Sequence, residues 1–260
     1  LMEAFIYDNN SIVLLYKYID KGIGYAEYAN LNLDGLLKRQ SIVFEKKTNL
    51  FKGDVDEFNW AISDDKKQFV IYNAKQRQSS FQIQYCFNTA DSLSAIHNLS
   101  VPTNEIALLS KFVLNKEGVL AMFIQDVSSA MDKPFSHALA TIDIKSASIG
   151  FSSIPIPLNA YALEHIITPH AVSNQFILSL IVKSKAKQVN KELQLFQIAV
   201  QGAKANLLAS YAFNSVALFA HMPIGKSNDF QQFHLSKALC KTDGSIFLEL
   251  ENYYETSRVV

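Results

Sequence analysis

Two cysteines in 260 residues, Cys86 and Cys240, are too few for a disulfide framework, although one bridge between them stays open. Glycine is scarce as well. Nine of them leave few positions at which a tight turn can take positive φ without strain. No apolar run approaches the roughly 18–20 residues needed to span a bilayer; the longest, "QFILSLIV" from Gln175 to Val182, has the length of a strand. The start "LMEAFIYDNN" lacks the basic stretch and apolar core of a secretory leader. Leu1 in place of Met fits a processed or excised N-terminus, so a lost leader stays open. Net charge is missing too. Twenty-four basic and twenty-four acidic residues cancel, which leaves no bulk electrostatic case for nucleic acid or anionic lipid as partner. The lysines of "KSKAKQVNK", Lys183 to Lys191, read as a solvated loop between two strands.

What is present is alternation. With 49% hydrophobic and 18% charged residues the chain is long enough and apolar enough to bury a substantial core. The segments "SIVLLYKY", "QFVIYNA", "VLAMFIQD", "QFILSLIV" and "SIFLELEN" are strand-length and rich in β-branched and aromatic residues. Each follows a polar turn: "DNNS", "SDDKKQ", "NKEG", "AVSNQ" and "KTDG". Aligned on the first strand residue after each turn, the anchors are Ile12, Phe69, Val119, Phe176 and Ile246, at intervals of 57, 50, 57 and 70 residues. A second hairpin lies within each interval, at 25–44, 81–96, 137–154 and 193–213. Helical spacing is confined to short pieces such as "EIALLSKF".

This pattern predicts an all-β, β-propeller-like chain of about five four-stranded repeats, roughly 3–57, 58–107, 108–162, 163–228 and 229–260, forming one domain. The last repeat has a first hairpin without a second, so the expectation is a fragment of a longer propeller. The alternatives are a five-bladed ring closed by a strand from "YETSRVV", and a β-sandwich or two small β domains. Low glycine and the long last interval, which makes "VALFAHMPIGKSND" an elaborated loop, weigh against the propeller.

The segment "DFQQFHLSKALCKTDGSIFLELENYYETSR" resembles a motif of large uncharacterised bacterial propeller-like proteins, in which a strand, "DGG", an apolar strand and "EQYY" close an inner hairpin. Asp243, Gly244, Glu251, Tyr253 and Tyr254 hold the matching places; Ser245 and Asn252 depart from it. The resemblance covers about thirty residues, mainly 229–258, and implies fold more than function. Scarce cysteine permits reducing and oxidising compartments alike, so localisation stays open, with an extracytoplasmic bacterial setting slightly favoured.

Chemistry is thinly marked. Neither a phosphate-binding loop nor a dinucleotide fingerprint occurs, and there is no G-x-S-x-G elbow. His97, His137, His165, His170, His221 and His234 show no metal-ligand spacing and read as loop or strand histidines. Asp64 and Asp65 in "SDDKKQ" lack the spacing of a calcium loop and suit a turn. Asn98 opens an "NLS" acceptor pattern, and Trp60 reads as a packing residue. Glu249 and Glu251, two apart on one strand, point to one face with Phe247 and Tyr253. These three, Glu249, Glu251 and Tyr253, are the candidate ligand-binding residues. No catalytic residue, metal site or cofactor is expected.

The function read from this is a non-enzymatic binding or interaction module, taking a protein or extracellular ligand through its loops, with oligomeric state open. The alternative is a carbohydrate-active propeller hydrolase in which Glu249, Glu251 or other channel carboxylates act as acid and base. A purely structural piece of a surface protein is the third reading.

Overall fold

A computed structural model describes residues 2–7, 11–47, 58–77, 80–89, 92–103, 107–126, 136–156, 160–171, 174–184, 193–201, 204–212 and 233–252. All elements among them are β-strands. In the first sheet β1 (Met2–Tyr7), β2 (Ser11–Asp20), β3 (Ile23–Asn32) and β4 (Leu37–Lys47) are hydrogen-bonded in chain order, each antiparallel to the next. The second sheet repeats the order with β5 (Phe58–Ile62), β6 (Phe69–Arg77), β7 (Ser80–Phe87) and β8 (His97–Pro102).

The third sheet has a broken first strand. β9 (Ala107–Leu109) and β10 (Val113–Leu114) both pair with β11 (Val119–Asp126), which is followed by β12 (Ser136–Asp143) and β13 (Ile149–Ser153). The fourth contains β14 (Ala160–Pro169), β15 (Phe176–Ser184), β16 (Leu193–Gln201) and β17 (Lys204–Ala212) in order, and β18 (Phe233–Cys240) pairs with β19 (Ile246–Asn252) in the last. The chain is all-β and propeller-like: four successive up-and-down sheets of one strand order, followed by a hairpin.

Phe69, Val119, Phe176 and Ile246 are the first residues of β6, β11, β15 and β19, and Ile12 is the second of β2. Turn chemistry sets the start of β11, and those of β13 and β4 as well. Asn115 Oδ1 accepts from the Glu117 and Val119 amides at 3.1 and 2.8 Å, and Asp143 Oδ1 from Lys145 and Ser146, both at 2.9 Å. Asn32 Oδ1 caps Leu36 N at 2.7 Å in the same manner. With glycine scarce, left-handed backbone falls also on Lys21, Lys66 and Ala147, at φ of 47, 57 and 56°.

One strand lies later than its sequence suggests. The hairpin read at 81–96 closes on β8 at His97–Pro102, since Thr89 N donates to Ser92 O at 2.7 Å, Ser94 N to Phe87 O at 2.8 Å, and Asn88 bridges to Leu93 before that strand begins. The helical hint in "EIALLSKF" resolves to strand β9 at Ala107–Leu109.

The chain divides into two compact units. The first comprises Leu1–Glu105, Phe112–Leu120 and Ile142–Ile149; the second Ile106–Lys111, Ala121–Thr141 and Gly150–Val260. In the first unit the inner faces of the first two sheets share a core of Phe5, Val13, Leu15, Tyr28, Phe44, Phe58, Phe69 and Ile71. Phe69 is its hub, with Phe5, Tyr7 and Tyr28 rings at 5.8, 6.1 and 5.7 Å. Lys17 Nζ donates to Phe58 O at 2.9 Å between these two sheets. Tyr85 OH donates to Ile144 O at 3.2 Å and Gln68 Nε2 to Lys116 O at 2.6 Å.

In the second unit β15 is buried from Phe176 to Val182, the reason its sequence reads as an apolar run interrupted only by Ser179. Buried Gln125 accepts from Ala162 N at 3.0 Å, and Glu164 Oε2 from Leu235 N at 2.6 Å. A bulge between Ala162 and Glu164 in β14 sets the register at that carboxylate.

Both cysteines are free. Cys86 lies in the first unit's core, where burial pushes its thiol up to about 12.

Candidate functional site

β6 changes character along its length. Phe69, Val70, Ile71 and Tyr72 are buried, but Asn73, Lys75 and Arg77 follow at alternate positions, on the face that Phe69 and Ile71 present to the core. Register extends that face into rows: Asn73 opposite Gln84 and Gln84 opposite Asn98, then Lys75 opposite Gln82 and Gln82 opposite Ser100. β4 changes in the same way, from buried Phe44 to Glu45 and Lys46. Where the shared apolar core ends, these polar strand tails frame a groove of about 580 Å³.

Its lining is polar with a cationic excess. Among the described residues Lys46, Lys75 and Arg77 stand against one carboxylate, Glu45. Four carboxamides, on Asn73, Gln82, Gln84 and Asn98, share the wall with them, and Ile83 is the one apolar residue among the described lining residues. Cross-strand hydrogen bonds fix two of the amides. Gln84 Nε2 donates to Asn98 Oδ1 at 2.9 Å, and Gln82 Nε2 to Ser100 and Ser80 Oγ at 2.8 and 2.9 Å. Their amide oxygens are acceptors in a set geometry. Asn73 Oδ1 is buried with no hydrogen-bond partner among the described residues. Such an acceptor costs about 1–3 kcal/mol until a donor reaches it.

A second polar cluster lies in the first sheet. Buried Glu27 accepts from Tyr16 OH, from Tyr18 OH at 2.7 Å and from Gln40 Nε2 at 3.1 Å. Tyr16, Tyr18 and Tyr25 stack in series at 6.2 and 5.1 Å. Burial pushes the Glu27 carboxyl up, but the Tyr16, Tyr18 and Gln40 hydrogen bonds outweigh it and hold the group below the usual carboxylate range. The hydrogen bond to Glu27, with burial, pushes the Tyr18 phenol up to about 12. Every polar atom of this cluster named here has a partner, which suits a fixed structural network.

Glu249 and Glu251 both lie on β19. Glu249 is exposed and faces Lys237 in the register of β18, while Glu251 is half-buried and accepts from Ser236 Oγ at 2.7 Å. Phe247, on the expected face, is 53% exposed. Tyr253 and Tyr254 lie outside the described residues, as does His221.

The remaining sequence candidates have local roles. Asp65 Oδ1 accepts from Ser63 Oγ at 2.6 Å and Lys67 N at 3.1 Å inside its turn, and burial together with Asp65 pushes the Asp64 carboxyl up. Trp60 packs against the core of the first unit and donates to Glu3. The His97 ring lies on Tyr85 and Phe87 at 5.1 and 5.6 Å. The His165 ring lies 4.9 Å from Phe123, and burial keeps its pKa below the ordinary value. Among the described residues no group of three or more His, Cys, Asp or Glu side chains is placed to hold a metal ion, and no helix is long and apolar enough to cross a membrane.

Comparison with known proteins adds little. No family model matches the chain, and no curated protein matches it. Among solved structures it is similar to the Penicillium chrysogenum α-L-arabinanase complexed with arabinobiose, at 10% identity and a TM-score of 0.42, covering 80% of this chain and 66% of that one. It is similar to the β-propeller domain of the Trilobed protease from Pyrococcus furiosus at 10% identity and a TM-score of 0.37, over 94% of this chain and 76% of that domain. Prolyl oligopeptidase B from Galerina marginata gives 11% and 0.37, with 95% of this chain covering 38% of the enzyme. The chain thus spans about two thirds of the arabinanase and well under half of the oligopeptidase. Likenesses at this level carry no argument about substrate or mechanism; the statement of fold rests on the sheets themselves.

Proposed function

We propose that the chain is a non-enzymatic binding module of propeller type, with the polar groove of the first unit as its recognition surface. The observation that carries this reading is the groove's lining, which among the described residues sets three cations and four carboxamides against one carboxylate. Acid–base hydrolysis of a glycoside needs two carboxyl groups flanking the bond, and among the described lining residues Glu45 is the one carboxylate. Amides fixed by cross-strand partners, on rigid strands, suit recognition, since little side-chain freedom is lost on binding.

The rival reading places a carbohydrate hydrolase at Glu249 and Glu251 with Tyr253 beside them. One experiment separates the two. Labelled protein is applied to glycan and acidic-peptide arrays as wild type and as Lys75→Ala/Arg77→Ala, and saccharides are assayed in parallel for reducing-end release. The binding-module reading predicts retention that falls about tenfold or more in the double variant, without turnover. Turnover that disappears in Glu249→Gln or Glu251→Gln would establish the hydrolase instead.

A further inference from the structure

We propose that the groove's ligand is an acidic saccharide, a hydroxyl-rich chain carrying carboxylate or sulfate groups; this rests on the binding-module reading above. Three features of the lining select that chemistry. Among the described lining residues Lys46, Lys75 and Arg77 outnumber Glu45, a balance that favours an anion. Arg77 presents a planar fork that matches a carboxylate or sulfate through two parallel hydrogen bonds, and Lys75, two residues earlier on the same face, adds a point charge.

The uncharged part of the ligand is read from the amides. A carboxamide offers two donors and an acceptor, and a hydroxyl is both donor and acceptor, so the two pair in either sense. Gln82 donates to Ser100 and Ser80 and Gln84 to Asn98, which orients both amides and sets their carbonyl oxygens to accept from hydroxyl groups. At the inner end, Asn73 Oδ1 is buried without a partner among the described residues. A hydroxyl reaching it would remove a desolvation cost that the free protein bears.

What the lining lacks excludes the neighbours of this class. Among the described residues no aromatic ring lines the groove, so a neutral sugar has no face there on which to stack. Ile83 is the one apolar residue among the described lining residues, which offer a peptide no pocket for anchoring side chains. The wall is the face of a sheet in which β6 and β7 have their backbone paired on both sides, so a peptide lying over them meets no free main-chain ladder.

The test is equilibrium binding of the whole chain to four probes at one ionic strength: polygalacturonate, dextran sulfate, neutral dextran and polyglutamate. The expected result is binding of polygalacturonate or dextran sulfate at least about tenfold tighter than of dextran or polyglutamate. Lys75→Ala/Arg77→Ala weakens it about 10- to 100-fold, and Asn73→Leu, which keeps the charge, weakens it about tenfold. Whichever acidic saccharide binds more tightly identifies the anionic group. Polyglutamate bound equally well, and lost in the double variant, would overturn the saccharide assignment and leave the binding-module reading standing. Binding of every probe unaffected by the double variant would overturn both.

Discussion

Glu27 is charged on a strand whose neighbours are tyrosines. Its carboxylate survives burial because Tyr16, Tyr18 and Gln40 all donate to it, and those hydrogen bonds hold its pKa below 4.5 in the folded chain. A lowered folded pKa contributes stability that is fully present above the unfolded value and is lost as pH falls through the folded one. Glu27→Gln keeps one acceptor but sets an NH2 group against groups that already donate. The variant is expected to lose about 1–3 kcal/mol at neutral pH. The gap to wild type begins to narrow as pH falls below the unfolded carboxylate value of about 4.3, and it levels off below the lowered folded pKa, where both chains carry a neutral side chain. Urea unfolding at pH 7, 5 and 3 measures it; a gap independent of pH would show that the charge is not what the network holds. Nothing in the sequence marked Glu27, because it stands alone in "YAEYAN" and gains its partners only through the register of β2, β3 and β4.

At the scale of elements, the turns explain how a glycine-poor chain makes tight connections. Gly118 is irreplaceable on two counts. Its φ is +87°, and an added Cβ would lie 2.8 Å from Gln68 Oε1 and 3.3 Å from Ile144 Cδ1. Ala147 sits in left-handed backbone at φ 56° where glycine would be relaxed. Opposite effects are therefore expected in thermal or urea unfolding. Gly118→Ala costs about 1–3 kcal/mol, and Ala147→Gly gains about 0.5–1 kcal/mol. Loss of stability in both would mean that strain at these turns is not set by φ.

The strands were legible wherever apolar alternation marks them: "QFVIYNA" and the run ending at Phe44 read directly as strands. They were read too short, because the alternation of apolar residues stops at Ala74 and Phe44 while backbone pairing runs on to Arg77 and Lys47. Those unread tails carry the charged residues of the groove's described lining, Glu45, Lys46, Lys75 and Arg77. A strand end loses its hydrophobic signal where it leaves the core, and there a polar site can form. The signal that remains is Asn73, Lys75 and Arg77 at a spacing of two, followed across the hairpin by Gln82 and Gln84. Asn98 and Glu45 join them only through pairing and packing, which no local spacing records. The site read from sequence, Glu249 and Glu251, had visible same-face spacing, but Lys237 and Ser236 opposite them were out of sequence range.

For the whole molecule, the central claim is that recognition resides in the groove and not on β19. Nuclear magnetic resonance of the labelled chain, titrated with oligogalacturonate, tests this most directly, because side-chain amides report in a region of their own. The account predicts that the NH2 resonances of Asn73, Gln82, Gln84 and Asn98 shift together in a saturable manner, while the backbone amides of Glu249 and Glu251 do not move. Shifts confined to Glu249, Glu251 and their β18 neighbours, with the four carboxamides unmoved, would contradict it.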